Sequence, residues 1–443
     1  MKKSITIFFS LLALIIGCYF ILKNILSSEK LIDENKTVYI KKNSAGYQIY
    51  RNGTPFYING ASGNSHLNEL ARIGGNTIRV YDTINLKKVL NDAEKNGLAV
   101  IVDIPIPRYN EKYNSYRDPK FNDLLKKKIK ILVEKYNTHP ALLMWNLGNE
   151  IEYPFVFKAN DFIDTFNELI DIIHEADQNH PIGTSIPSIN KKQLFSIYFH
   201  SPNIDIIAFN IFGNIKNLDK ELSKVTFFTG AKPYYISEWG YDGPWECSFT
   251  SWGAPIEPTS TKKREQLISR YKGLKKNINN DCVGTLFFFW GIKQESTHTW
   301  FSLFLDMNSK SEIIEELKNL WQKPINDKNE IGLDYMLLNE KGSLENLVFS
   351  TNEKIIAEIV FNQSNNTNIQ IEWEIYPESW SYNKWDIEKR PKKIAHLSSN
   401  SGNNKIIFTT SNREGPYRIF AYIFDDNGKF ASTNIPFYIL KPE

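Results

Sequence analysis

The feature that most constrains this chain is an alternation. Short runs rich in branched and aromatic residues recur eight times between residues 55 and 290, separated by stretches with helical spacing. The runs lie at 55–60 (PFYING), 76–81 (NTIRVY), 98–105 (LAVIVDIP), 142–148 (LLMWNLG), 181–186 (PIGTSI), 204–210 (IDIIAFN), 233–239 (PYYISEW) and 284–290 (GTLFFFW). Between them, Leu86, Val89, Leu90 and Ala93 share one face of a segment over 84–96 that Gly97 ends. Phe162, Phe166, Leu169, Ile170 and Ile173 repeat the pattern over 160–174. Continuous apolar strands separated by helices require a parallel sheet covered on both faces, and eight units in about 270 residues match a (β/α)8 TIM barrel. An open doubly wound sheet is the alternative. Its nucleotide-binding corollary fails, because no Gly-rich phosphate loop follows the first strand.

Upstream, VYIKKNSAGYQIYRNGTPFYING alternates apolar and polar residues around Asn52-Gly53, which predicts a β-hairpin feeding the first strand. From about residue 333 the helical spacing stops. Strand patterns follow at 354–361, 368–376, 405–410, 416–424 and 434–440, with Ile369, Ile371, Trp373 and Ile375 as an inward row and Asp425-Asp426-Asn427-Gly428 as a turn. Some 110 residues of short antiparallel strands predict an immunoglobulin-like sandwich, about the size of such a domain. The expected organisation is therefore a signal or anchor over 1–26, a spacer over 27–36, a barrel with its hairpin over 37–330, and a β-sandwich over 333–443.

Lys2 and Lys3 precede an apolar run from Ile5 to Leu22, the charged and hydrophobic regions of an export signal. Ile15-Ile16-Gly17-Cys18 resembles the lipobox of bacterial lipoproteins, in which the cysteine, here Cys18, is lipidated. The apolar Tyr19-Phe20-Ile21-Leu22 that follows fits an uncleaved signal anchor as well. Either outcome predicts an extracytoplasmic chain tied to a bacterial membrane. Cys247 and Cys282 fall after the seventh strand and before the eighth, at opposite ends of a barrel, so free thiols are expected. With 53 basic against 50 acidic residues, the chain has no charge excess of the kind nucleic-acid binding needs.

Functional side chains of a (β/α)8 barrel project from the C-terminal ends of its strands. Here Arg79 ends strand two, Asn149-Glu150 ends strand four, Glu238 with Trp239-Gly240 ends strand seven, and Trp290 ends strand eight. Two glutamates at one mouth fit glycosidic cleavage, which requires a proton on the leaving oxygen and electrons on the opposite ring face. Other chemistries lack their residues. Position 178 is Gln, so His174-Glu175 is no zinc helix, and no Gly-x-Ser-x-Gly elbow occurs. Glu152, Glu246 and Glu295 read as loop or subsite residues, and no metal or cofactor motif is present.

Through WNLGNE, YYISEWG and GTLFFFWG the sequence resembles the large clan of retaining glycosidases that includes glycoside hydrolase families 2 and 5, over roughly residues 37–325. The resemblance implies Glu150 as acid/base, Glu238 as nucleophile, Asn149 as partner of the sugar 2-OH, and Arg79 as the charge that keeps Glu238 ionised. WGIKQESTHTW, with Trp290, His298 and Trp300, is similar to the sugar-platform region of family 2 barrels, and Trp239 adjoins the nucleophile. Many members also place a Tyr after strand six against the nucleophile. This chain has Phe212 there, which leaves another group, such as Tyr241, to fill that role. The resemblance implies hydrolysis of β-linked oligo- or polysaccharide, best a β-glucan, by double displacement without a cofactor. The alternatives are a transglycosylase using the same glutamates and a catalytically inactive glycan-binding surface protein on the same barrel.

Overall fold

The computed structural model describes residues 33–322, 331–362, 369–378, 390–399 and 403–442. The apolar run Ile5 to Leu22, with Cys18, lies outside the described residues. Among those described, no helix is long and apolar enough to cross a membrane.

Three antiparallel strands come first: β1 (Val38–Asn43), β2 (Gly46–Arg51) and β3 (Thr54–Phe56). Eight parallel strands then close into a barrel: β4 (Ile58–Ser62), β5 (Thr77–Val80), β6 (Ala99–Ile104), β7 (Leu142–Asn149), β8 (Ile182–Pro187), β9 (Ile206–Asn210), β10 (Tyr234–Trp239) and β11 (Cys282–Phe288). Helices follow them in turn: α1 (Leu67–Arg72), α2 (Leu86–Lys95), α3 (Pro119–Tyr136), α4 (Asp161–Ala176), α5 (Lys191–His200), α6 (Leu218–Thr229), α7 (Ser260–Asn277) and α8 (Ile313–Trp321). The eightfold alternation in the sequence is thus the barrel itself.

Two strand boundaries differ from the sequence pattern. The run PFYING is divided: Pro55 and Phe56 pair antiparallel with Tyr50 and Ile49, and barrel pairing starts only at Gly60 against Thr77. Proline lacks the N–H that an interior barrel strand needs on both sides, so it belongs to the hairpin. At the other end β11 stops at Phe288, which leaves Trp290 beyond the strand.

The hairpin seals the N-terminal end of the barrel. Val38 donates its N–H to Asn179 O at 3.0 Å, Tyr47 N and Oη reach Asn280 O and Ala231 O, and Arg51 Nη2 reaches Pro140 O; each acceptor precedes a barrel strand. Val38, Ile49 and Ile58 enter one core with Ile101, Met144, Ala208 and Tyr235. Each such aliphatic side chain contributes roughly 1.5–3 kcal/mol on burial.

The chain divides into two compact units. Among the described residues the first takes in 33–71, 75–239 and 273–287; the second takes in 72–74, 240–272 and those from 288 onward. The second unit contains β12 (Lys310–Ser311), β13 (Leu333–Leu338), β14 (Val348–Ser350), β15 (Lys354–Phe361), β16 (Gln370–Pro377), β17 (Ala395–Ser399), β18 (Lys405–Thr409), β19 (Gly415–Phe424) and β20 (Lys429–Leu440). One sheet runs β12-β20-β19-β16-β17, with β14 also on β20, and a second runs β13-β15-β18. Ile369, Ile371, Trp373 and Ile375 point inward, as their alternation predicts, against Ile355, Ile359 and Phe437. This is an all-β sandwich. Cys247 and Cys282 are both free.

His298 is buried in the second unit, its Nε2 bonded to the Tyr422 hydroxyl and its ring 4.4 Å from that of Phe420. Burial, with Arg390 and Arg418 adding to it against Glu257 and Glu374, pushes its pKa down from 6.5 to about 3. Between those values the unfolded chain binds a proton that the folded chain does not, so stability falls as pH drops below 6.5 and levels off near 3. Urea unfolding at about pH 7 and 4.5 is expected to show wild type losing up to roughly 2.5 kcal/mol more than His298→Gln, at about 1.4 kcal/mol per pH unit below 6.5. Equal losses in the two proteins would exclude His298 as the source.

Candidate active site

The first unit gathers its inward polar side chains at the C-terminal ends of six strands, around one fully buried guanidinium. Arg79 of β5 holds Asp103 of β6 through Nε at 3.0 Å and Nη2 at 2.7 Å. Its Nη1 donates to Glu238 Oε1 at 3.1 Å and to Asn210 Oδ1 at 3.3 Å, and its Nη2 also reaches Asn149 Oδ1 at 2.7 Å and Ser185 Oγ at 3.0 Å. Burial works against this charge, but Asp103, Tyr81 and Glu238 outweigh it and raise the Arg79 pKa well above its ordinary value. Arg79 is a permanent cation inside the barrel.

The two glutamates of the cluster have unlike partners. Glu238, only 6% exposed, accepts at Oε1 from both Arg79 and the hydroxyl of Tyr81, the latter at 2.9 Å. Burial, then the charge of Glu238, raises the Tyr81 pKa well above 10, so its phenol stays protonated and donates. Glu150 is half-buried and accepts from the neutral Asn210 Nδ2 at 2.9 Å. Among the described residues no cationic side chain pairs with it. Asn210 thus stands between the two, and its Oδ1 also receives Ser237 Oγ at 2.7 Å.

Local backbone delivers these groups. Gly148 has φ +76°, and a Cβ there would sit 2.4 Å from the Ile151 side chain, so only glycine fits. The pairing of β7 with β8 shifts register between Asn146 and Asn149, and Glu150 itself lies in the left-handed region at φ +50° with its N–H on Ser185 O at 2.9 Å. This irregular exit turns Asn149 and Glu150 into the cluster. Asn149 Oδ1 is occupied by Arg79 and by Asn210 Nδ2 at 3.2 Å, which orients its own amide N–H groups away as donors. A second shift between Ile236 and Glu238 on β10 lets Ser237 and Glu238 both enter the cluster.

Of the residues singled out from sequence, Arg79, Asn149, Glu150 and Glu238 come together here. Trp239 is fully buried, its ring 5.7 Å from and edge-on to Phe287. Trp290, His298 and Trp300 belong to the second unit. Trp290 is buried against Phe304, and Trp300 is buried with Nε1 donating to Asp242 O at 2.9 Å. The hydroxyl on Glu238 comes from Tyr81 and not from Tyr241, which stacks on Phe301 within the second unit. Sequence reasoning missed Tyr81, Asp103, Ser185 and Asn210. Asp103 carried a signal, being the only charge in the run LAVIVDIP. Among the described residues no group of His, Cys, Asp or Glu is placed to hold a metal ion.

No protein-family model and no curated protein matches the chain. Solved structures do. A β-D-glucuronidase from Dictyoglomus thermophilum is 20% identical, with TM-score 0.50 over 67% of this chain and 55% of its own. A calcium-binding mutant of Bacteroides uniformis β-glucuronidase 2 is 14% identical, with TM-score 0.50 over 91% of this chain and 48% of its own. An FMN-binding β-glucuronidase from Facaelibacterium prausnitzii L2-6 is 14% identical, with TM-score 0.50 over 92% and 59%. The chain therefore spans about half the length of these proteins. At such identity the likeness is one of fold.

Proposed function

We propose that the protein is a retaining glycoside hydrolase acting on β-linked glycans, a β-glucan in first place. The observation that carries the reading is the unlike setting of two carboxyl groups in one cluster: Glu238 faces a buried cation, and Glu150 faces a neutral amide. Retaining cleavage needs that difference, one carboxylate to attack and one carboxylic acid to donate. Glu150 transfers its proton to the glycosidic oxygen while Glu238 bonds to the anomeric carbon and the leaving sugar departs. Glu150 then takes a proton from water, which attacks the same carbon and releases Glu238. Two inversions give net retention. Arg79 and Tyr81 stabilise the carboxylate that leaves in the second step, and Asn149 donates to the sugar 2-OH. The β-glucuronidase names of the structural neighbours agree with a β-glycosidic bond as target. The family resemblance implies sugar contact by Trp239, Trp290, His298 and Trp300; all four are buried here, His298 on Tyr422 and Trp300 on Asp242 O.

Glu238→Gln is expected to lower turnover by several thousandfold, about 5 kcal/mol of barrier, and also to lower the melting temperature, because Arg79 loses one of its two carboxylate partners while keeping Asp103. Glu150→Ala should nearly abolish hydrolysis of oligosaccharide yet still form the glycosyl-enzyme from an activated aryl glycoside, and added azide should restore turnover as the β-glycosyl azide. An α-azide, or no rescue, would overturn the assignment.

Removing the phenol from the nucleophile tests the residue that replaces the expected strand-six tyrosine. A hydrogen bond to a charged group contributes about 1.5–3 kcal/mol, so Tyr81→Phe is expected to reduce kcat/KM roughly tenfold to a hundredfold. Tyr241→Phe serves as the comparison. If the two variants lose equally, Tyr81 has no special place at the nucleophile.

The proposed location is extracytoplasmic, at a bacterial membrane through a lipid on Cys18 or an uncleaved anchor. Labelling with a radioactive fatty acid should mark the wild type and not Cys18→Ser; an unlabelled wild type would leave the anchor.

A further inference from the structure

The loop directly after Glu150, residues 151–160 between β7 and α4, is clamped to the barrel by side chains of α5. Gln193 Nε2 donates to Ile151 O, Ser196 Oγ to Pro154 O at 2.7 Å, and His200 Nε2 to Val156 O at 2.8 Å. Tyr153 turns inward, 4% exposed, with its hydroxyl on Ser201 Oγ at 2.7 Å. At the far end Asn160 Nδ2 donates to Tyr109 Oη at 3.2 Å on the preceding loop. On this fixed frame Phe155 is 53% exposed and Phe157 is 100% exposed. A single exposed ring is ordinary, but two rings two positions apart on an immobilised backbone form apolar surface held in water.

We propose that Phe155 and Phe157 are ring platforms for the leaving-group side of a long β-glycan, so that the substrate is a polymer bound beyond the bond that is cut. The inference rests on the acid/base role proposed for Glu150. A proton donor touches the oxygen that joins the reacting sugar to the leaving group, so the departing chain lies on the Glu150 side of the site. Phe155 and Phe157 follow Glu150 by five and seven residues, within at most about 18 and 25 Å of it along extended chain. Aromatic faces suit the C–H faces of sugar rings. A lipid surface fits less well, because the chain enters the barrel through the hairpin at the N-terminal end, and this loop sits at the C-terminal end.

The test compares kcat/KM on a β-glucan hexasaccharide with kcat/KM on an aryl β-glucoside, which carries no leaving sugar. In Phe155→Ala/Phe157→Ala the ratio of the two is expected to fall about tenfold or more, the effect of uncovering roughly half of each ring, and in Phe155→Tyr/Phe157→Tyr to stay within about threefold of wild type. An unmoved ratio in an active enzyme overturns the platform and leaves Glu150 and Glu238 in place. Binding is read without turnover by electrophoresis of Glu238→Gln through gels containing soluble β-glucan. Retardation that disappears when both Phe are also replaced by Ala supports the inference. Equal retardation, none at all, or loss of binding only to anionic lipid vesicles overturns it. A wild type inactive on both substrates counts against the glycosidase reading, and the gel still decides the platform.

Discussion

The barrel is organised around the charge of Arg79. An unpaired guanidinium in a protein interior would be untenable, and this one is sustained by a bidentate carboxylate, a second carboxylate, two side-chain amides and a hydroxyl from five other strands. Each partner is fixed in return. Asp103 is also held by Asn146 Nδ2 at 2.9 Å, and Asn146 in turn bonds Ser185 at 3.0 Å. Removing one member of a buried pair costs about 3–5 kcal/mol, because the other charge is stranded. The network therefore ties together the C-terminal ends of six strands. Because Glu238 is one of its members, the fold and the proposed chemistry share a single electrostatic core.

That sharing explains why the site sits where regular structure gives way. Strand periodicity alone presents alternate side chains to the interior, and a cluster needing Asn149 with Glu150, and Ser237 with Glu238, violates it. Both pairs occur where the register shifts, on β7 after Asn146 and on β10 after Ile236. Gly148 supplies the conformation that lets β7 turn, and the left-handed Glu150 is retained by its N–H bond to Ser185 and the Asn210 amide. Local irregularity is maintained by the same polar contacts that give it a use.

The barrel was legible because each strand is buried on both faces and so appears as an unbroken apolar run, as with LAVIVDIP and LLMWNLG. The glutamates were legible because strand ends are countable. What sequence could not supply was pairing across strands. Asp103 meets Arg79 because Thr77 is opposite Ala99, and Tyr81 meets Glu238 across the barrel, relations that depend on closure and register and leave no trace in spacing along the chain. The short β13, β14 and β17 escaped for another reason: their burial alternates weakly or they span only a few residues, so their pairing partners define them as strands. Proline at 55 was the one local clue that the first run is two strands.

The direction of the barrel adds a last constraint. The hairpin of β1 and β2 is bonded to the segments that lead into β7, β8, β10 and β11, so everything upstream of residue 38 joins the protein at the end where the strands begin. The polar cluster lies at the end where they finish. A pull transmitted from the N-terminus would load the hairpin and the apolar core of Val38, Ile49 and Ile58, and would leave the network of Arg79 outside its path. The hairpin and the polar cluster thus occupy opposite ends of the barrel and share no member.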